Sequence, residues 1–389
     1  MCIMPGLLIK NIGTLVSGDI NRPILDADAI LVADAKIAAV GKGSDLESRP
    51  VDKVIDAAGS TVTPGLIDSH CHVVLGDYTP RQNQIGFLDS EVHGGVTTFI
   101  SAGEVHLPGR PKDPAGTKAL AILAAKSFSS FRPGGAKVIG GAVILEKGLV
   151  EKDFEEMARE GVKVVGEIGL GSVKFPEDAA PMVKWAKKNG MKVLMHTGGT
   201  SIPGSDTVTA AQVMAVDPDV ACHVNGGPTS VSPEEIEKLV KDTSYWLELV
   251  HCGNPKAMVE ALRLGLEHNA LGRFIIGNDA PSGTGVVPLG VLRVICMAAS
   301  LTAVKPEQAL CMATGNTAKA FGLDTGFIRE GLAADFAIMD APMGSVGKDA
   351  LQAIAAGDVP GISMVIVDGK TVAGVSRNTP PAVRKAKVV

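Results

Sequence analysis

Between residues 65 and 278 the chain repeats a single unit: a short apolar run, then a longer segment in which apolar residues recur at helical spacing. That alternation marks parallel strands, each returned to its sheet by a helix. Eight runs qualify as strands, around residues 65–72, 96–102, 137–144, 162–168, 192–197, 220–225, 245–251 and 273–278. The helices are clearest over residues 151–160, 179–189, 233–241 and 255–268, where charge mixes with recurrent apolar positions and Pro233 stands at a first-turn position that tolerates it. Eight such units predict an α/β fold of the (β/α)8 TIM-barrel type, whose strand-end loops build the active site. A doubly wound sheet is the competing arrangement, but no GxGxxG follows the first run to support it.

Both ends of the chain break this rhythm. Ile30 to Val40 reads as two short strands around a turn at Asp34-Ala-Lys36, and Ile362 to Val372 as two more around an Asp-Gly turn. The ends therefore predict one shared β unit, from residues 1–60 and 331–389, beside a barrel over residues 61–330.

Composition narrows the chemistry. Lysine plus arginine number 37 against 42 aspartate plus glutamate, a net charge of −5 that argues against a phosphate-backbone partner. Ten Phe, two Trp and two Tyr are too few for platforms that stack single-stranded nucleic acid. No apolar stretch approaches the ~20 residues that cross a bilayer, and the amino terminus has no export-signal pattern. Six cysteines form no CxxC pair and no dense framework, so they read as reduced thiols in a cytoplasmic protein. A small molecule is the expected partner, not a nucleic acid or a membrane.

The histidines carry the chemistry. The first strand ends Asp68-Ser-His70-Cys-His72, and period-two alternation predicts Asp68, His70 and His72 on one face. Later strands offer Glu167, His196, His223 and Asp279 at or near their ends, with 29 residues between Glu167 and His196 and 27 between His196 and His223, one βα unit each. Four imidazoles and two carboxylates exceed what one catalytic ion needs, because such an ion keeps a coordination position open. Two divalent ions fit better: His70, His72 and Asp279 on the first, His196 and His223 on the second, and Glu167 as the anionic bridge. Asp68 reads as an orienting residue, not a ligand. Cys71, Cys222 and Cys252 are expected to face away from the axis and pack. His251 ends the seventh strand facing the same mouth, placed to hydrogen-bond a substrate.

Thr63-Pro-Gly-Leu-Ile-Asp-Ser-His-Cys-His72 resembles the opening signature of the amidohydrolase superfamily, and Val32 to Val40 and Gly331 to Met339 resemble its flanking β domain. The likeness covers nearly the whole chain. It implies a small β-sandwich domain built from both chain ends and a binuclear metal-dependent hydrolase. Many relatives bridge their metals with a carbamylated lysine, whereas Val165-Gly-Glu167 supplies a glutamate here, and Lys163 and Lys174 fit the strand end less well. His223-Val-Asn-Gly-Gly-Pro and Gly277-Asn-Asp-Ala-Pro are similar to the branch that opens a cyclic amide in nicotinate breakdown. That branch implies a carboxylate-bearing lactam as substrate, zinc and iron as the metals, and a homotetramer. On this reading Asp279 carries the proton from water to the leaving nitrogen, and Arg81, Lys174, Asn225 and His251 are candidates to hold the ring carboxylate. The alternatives are a dihydroorotase-like or hydantoinase-like amidase, a deaminase on the same scaffold, or a metal-dependent binding protein without turnover.

Overall fold

The computed structural model describes residues 6–73, 75, 84–105, 107, 109–200, 206–227, 229–281 and 286–389. Among them, eight parallel strands follow one another: β1 (Leu66–Cys71), β2 (Val96–Ser101), β3 (Lys137–Ile139), β4 (Val164–Ile168), β5 (Lys192–Met195), β6 (Val220–Ala221), β7 (Trp246–Val250) and β8 (Phe274–Gly277). β1 to β3 pair in one sheet and β4 to β8 in another. Two parallel bridges join the sheets into a ring, Val143 to Val165 on one side and Cys71 to Ala280 on the other.

Each strand is followed by a helix: α1 (Gln84–Val92), α2 (Pro114–Ser130), α3 (Glu151–Arg159), α4 (Pro176–Lys188), α5 (Ala210–Val216), α6 (Pro233–Asp242), α7 (Pro255–Glu267) and α8 (Gly290–Leu301). Local chemistry sets their starts. Asp113 accepts from Gly116 N at 2.9 Å ahead of a first-turn proline in α2, and Asn254 accepts from Lys256 N at 2.9 Å and Ala257 N at 3.2 Å ahead of α7.

Strand alternation separates two apolar clusters. Ile67, Ile100, Val164, Leu194, Val220 and Ile275 share one inside the ring, while Leu66, Val165, Val193, Ala221 and Ile276 pack with the helices. The inner residues fill the space beneath the strand ends, so polar side chains that also face inward must gather above them.

The chain ends build two further sheets. One runs in the order Lys387–Val388, Lys53–Asp56, Leu7–Lys10, Ala29–Ala33, Lys36–Gly41, and the other in the order Lys370–Ala373, Gly361–Val367, Phe336–Asp340, Thr61–Pro64, Thr14–Val16, Ile24–Leu25. Ile9, Ile30, Val62, Phe336 and Ile366 belong to one buried cluster drawn from both sheets. Both hairpins expected from the sequence form, with Asp34, Ala35, Asp368 and Gly369 at positive φ in their turns. Thr61–Pro64, assigned to the barrel by the sequence reading, pairs instead with Phe336–Asp340 in the six-stranded sheet. β6 is shorter than expected, because residues 222 to 225 leave the sheet in a turn.

Candidate metal centre

The strand ends bring His70, His72, Glu167, His196, His223 and Asp279 into one buried cluster. His70 Nε2 lies 3.3 Å from His72 Nε2, and Asp279 Oδ1 lies 3.2 Å from His72 Nε2 and 3.6 Å from His70 Nε2. Glu167 stands between this group and the other two histidines. Its Oε1 is 2.8 Å from His196 Nδ1 and 2.5 Å from His223 Nε2, while its Oε2 is 3.7 Å from both His70 Nε2 and His72 Nε2. One carboxylate thus faces a pair of imidazoles with each oxygen, the position expected of a bridge.

Two of these residues reach the site through backbone torsion. His223 has φ 32° and Asp279 has φ 57°, the left-handed region that side-chain-bearing residues seldom occupy. By alternation, Ala221 faces the helices and Cys222 the ring interior, and the turn at His223 swings its imidazole inward as well. Such conformations persist where the surroundings hold them, and they concentrate at functional sites.

Whether these side chains suit cations is decided by their outward-facing atoms. His70 Nδ1 lies 2.7 Å from Glu248 Oε2 and His72 Nδ1 3.2 Å from Gly103 O, so each ring donates outward and presents an Nε2 lone pair to the cluster. Two lone pairs 3.3 Å apart repel unless a positive charge lies near both. His70, His72 and Asp279 place ligand atoms within 4.8 Å of one another, as do His70, Glu167 and His223. The donor set of imidazoles and carboxylates therefore fits divalent transition metals.

Charge follows the same geometry. Burial raises the cost of ionising Glu167, but His223, with the hydrogen bonds from His196 and His223, outweighs it and holds the carboxyl well below its ordinary range. Asp279 is likewise lowered, burial being overcome by His70, His72 and His223. Both carboxylates are anionic at neutral pH.

Sequence reasoning missed Glu248. It is fully buried on β7, accepts from Ser69 Oγ at 2.6 Å, and also receives the backbone N–H of His223 at 3.3 Å. The available signal was one acid within Trp246-Leu-Glu-Leu-Val250, an otherwise apolar interior strand.

Other expectations need correction. The pairing of β1 shifts between Asp68 and Cys71, so alternation fails there. Asp68 accepts the backbone N–H groups of His70 at 3.0 Å and Asn278 at 2.9 Å rather than facing the cluster. Cys222 lies with the inner apolar cluster and near His70 and Glu248, not away from the axis. Asn225 uses its amide on β7, donating to Val250 O at 2.9 Å and accepting from Val250 N at 3.0 Å, so it is not free to hold a substrate. Lys174 is 3.3 Å from Asp206. His251, expected to hydrogen-bond a substrate, keeps its Nδ1 buried without a hydrogen-bond partner among the described residues; burial, then the Arg293 guanidinium on α8, holds its imidazole below the ordinary value. Arg81 lies outside the described residues.

Known proteins resemble this chain in sequence and in fold. The chain is 58% identical over 386 residues to enamidase of Eubacterium barkeri, covering 99% of this chain and 100% of that protein. A crystal structure of enamidase superposes with a TM-score of 0.96 at 58% identity, covering 99% of this chain and 100% of that one. Adenine deaminase of Deinococcus deserti is 25% identical over 350 residues, 86% of this chain and 56% of that protein, so the chain spans about half its length. β-Aspartyl dipeptidase of Fervidobacterium islandicum AW-1 shares the fold, with a TM-score of 0.66 at 18% identity and coverage of 95% of this chain and 97% of that one. Residues 61–372 match the model of the amidohydrolase family, and with that match over the residues that gather the cluster, this chain belongs to the amidohydrolase family.

Proposed function

We propose that this chain opens the ring amide of 1,4,5,6-tetrahydro-6-oxonicotinate and releases 2-formylglutarate and ammonia, the enamidase reaction. The observation that carries this reading is the 58% identity to enamidase along the full length of both chains. His70, His72 and Asp279 would hold one divalent ion and His196 and His223 the other, with Glu167 shared between them. When bound, the two ions, read as zinc and iron, supply a Lewis acid for the lactam carbonyl and lower the pKa of water.

Asp279 is placed to move the proton. It is ionised, 12% exposed at its side chain, and fixed by its backbone N–H to His70 O at 2.9 Å. As water oxygen bonds to the lactam carbon, Asp279 accepts the released proton, then returns it to the ring nitrogen as the C–N bond breaks. The product enamine tautomerises to an imine, and a second water replaces nitrogen to give the aldehyde and ammonia. Glu248 keeps His70 in one tautomer throughout.

The same reading gives the architecture as a (β/α)8 barrel with a β-sandwich domain from the two ends, divided near residues 60 and 330. It makes the enzyme a cytoplasmic homotetramer. The long matches to adenine deaminases favour purine deamination as the second reading. Ammonia release from the tetrahydropyridone, dihydroorotate and adenine decides between them. The proposal expects turnover of the first alone, and ammonia from adenine with none from the tetrahydropyridone overturns it.

A further inference from the structure

Beside β1 and β8, hydrogen bonds link three buried polar residues, Glu91, Asn278 and Asp68, in a chain. Glu91, on α1, is 0% exposed although it belongs to a helix whose neighbouring Asp89 and Ser90 are partly open to solvent. Asn278 Nδ2 donates to Glu91 Oε1 and, at 2.7 Å, to Val287 O. Asp68 Oδ1 accepts the backbone N–H of Asn278 at 2.9 Å and that of His70 at 3.0 Å. Asp68 and Asn278 are therefore each one hydrogen-bonding or covalent step from His70 or Asp279, and Glu91 is one step further out, through Asn278.

The space around the Asn278 side chain is closed: a β-carbon at Gly290, the first residue of α8, would collide with its amide. What these bonds hold is the segment that carries Asp279 at φ 57°. A left-handed aspartate costs conformational energy and relaxes unless its flanks are pinned.

We propose that Glu91, through its hydrogen bond with the Asn278 side chain, is a positioning residue that fixes the backbone of His70 and Asp279 in the geometry the reaction requires. It touches neither substrate nor reacting atoms. The inference rests on the hydrolase reading for its kinetic consequence, but not for its structural one.

Two variants test it. Glu91→Gln keeps an acceptor for the Asn278 amide, whereas Glu91→Met fills a similar volume without one. In the cobalt-substituted protein, the visible bands of Glu91→Gln should overlay those of the parent and those of Glu91→Met should shift. With the tetrahydropyridone, Glu91→Met should lose about 10–100-fold in kcat at a KM within about threefold, with the metal content kept. Glu91→Gln should retain most of the activity. Parent bands together with parent kcat in folded, metal-loaded Glu91→Met overturn the proposal, as does a Glu91→Gln as damaged as Glu91→Met. If Glu91→Met does not fold, Asn278→Ala breaks the same hydrogen bond from its other side and must show the same band shift. A parent that binds cobalt but leaves the lactam intact defeats the substrate reading, and the bands then still decide the positioning role.

Discussion

The Nδ1 of His70 donates to Glu248 Oε2 at 2.7 Å across the ring interior, from β1 to β7. The same carboxylate holds Ser69 Oγ at 2.6 Å through its other oxygen. Removing it leaves a buried imidazole N–H and a buried hydroxyl unpaired and lets the His70 ring turn. Glu248→Ala should therefore lose about 10–100-fold in metal affinity or turnover. Metal analysis after dialysis, run beside the ammonia assay, reads both; parent metal content with parent kcat would show that the tautomer needs no support.

Asp279→Asn separates catalysis from binding. The amide keeps the size and one acceptor oxygen, so the backbone bond to His70 O survives, but the proton shuttle is gone. Turnover should fall by about 10²–10⁴-fold, with at least part of the metal retained. An Asp279→Asn protein that still releases ammonia at the parent rate would remove Asp279 from the mechanism and reopen the possibility of a protein that only binds.

Metal removal should cost stability as well as activity. Glu167, Asp279 and four histidines are all nearly inaccessible, and His196 Nε2 and His223 Nδ1 have no hydrogen-bond partner among the described residues, so little besides a cation can satisfy the lone pairs of the cluster. A ligand that binds only the folded chain stabilises it by about 2.7 kcal/mol at a hundredfold excess over its Kd. Protein stripped with a chelator should unfold at a lower temperature by scanning calorimetry, and adding zinc with ferrous iron should restore both the transition and turnover. An unchanged transition after verified metal loss would refute a stabilising metal centre.

The sequence shows which side chains carry the chemistry better than it shows how they arrive. His196 follows strictly from alternation, since Leu194 two residues earlier lies in the inner cluster. Asp68 does not, because a register slip inside β1 is a tertiary accommodation that a period-two pattern cannot register. His223 and Asp279 reach the cluster by positive φ just beyond their strands, which spacing alone does not reveal. Glu91 reads as an ordinary polar helix position; only its burial against the Asn278 side chain shows it to be an interior acid. Asn225 has the composition of a binding residue, and its use as a clamp on β7 appears only once β6 and β7 lie side by side.

Glu104, beyond the end of β2, gives a prediction in pH. Its residue is 2% exposed, its Oε2 accepts Leu75 N at 3.1 Å, and its Oε1 is buried without a partner among the described residues. Burial pushes its carboxyl up to about 8, with the Leu75 N–H pulling the other way. A carboxyl whose folded pKa exceeds its unfolded value of 4.5 binds its proton more tightly in the native state. Its contribution to stability is fully present below pH 4.5, falls as pH rises toward 8, and levels off above that. Glu104→Gln cannot ionise and keeps an oxygen for Leu75, so it escapes that loss, which is on the order of a few kcal/mol at most. Urea unfolding at pH 5 and pH 9 should show parent and variant close together at the lower pH and the variant more stable at the higher one. A gap of equal size at both would mean that Glu104 does not titrate between them.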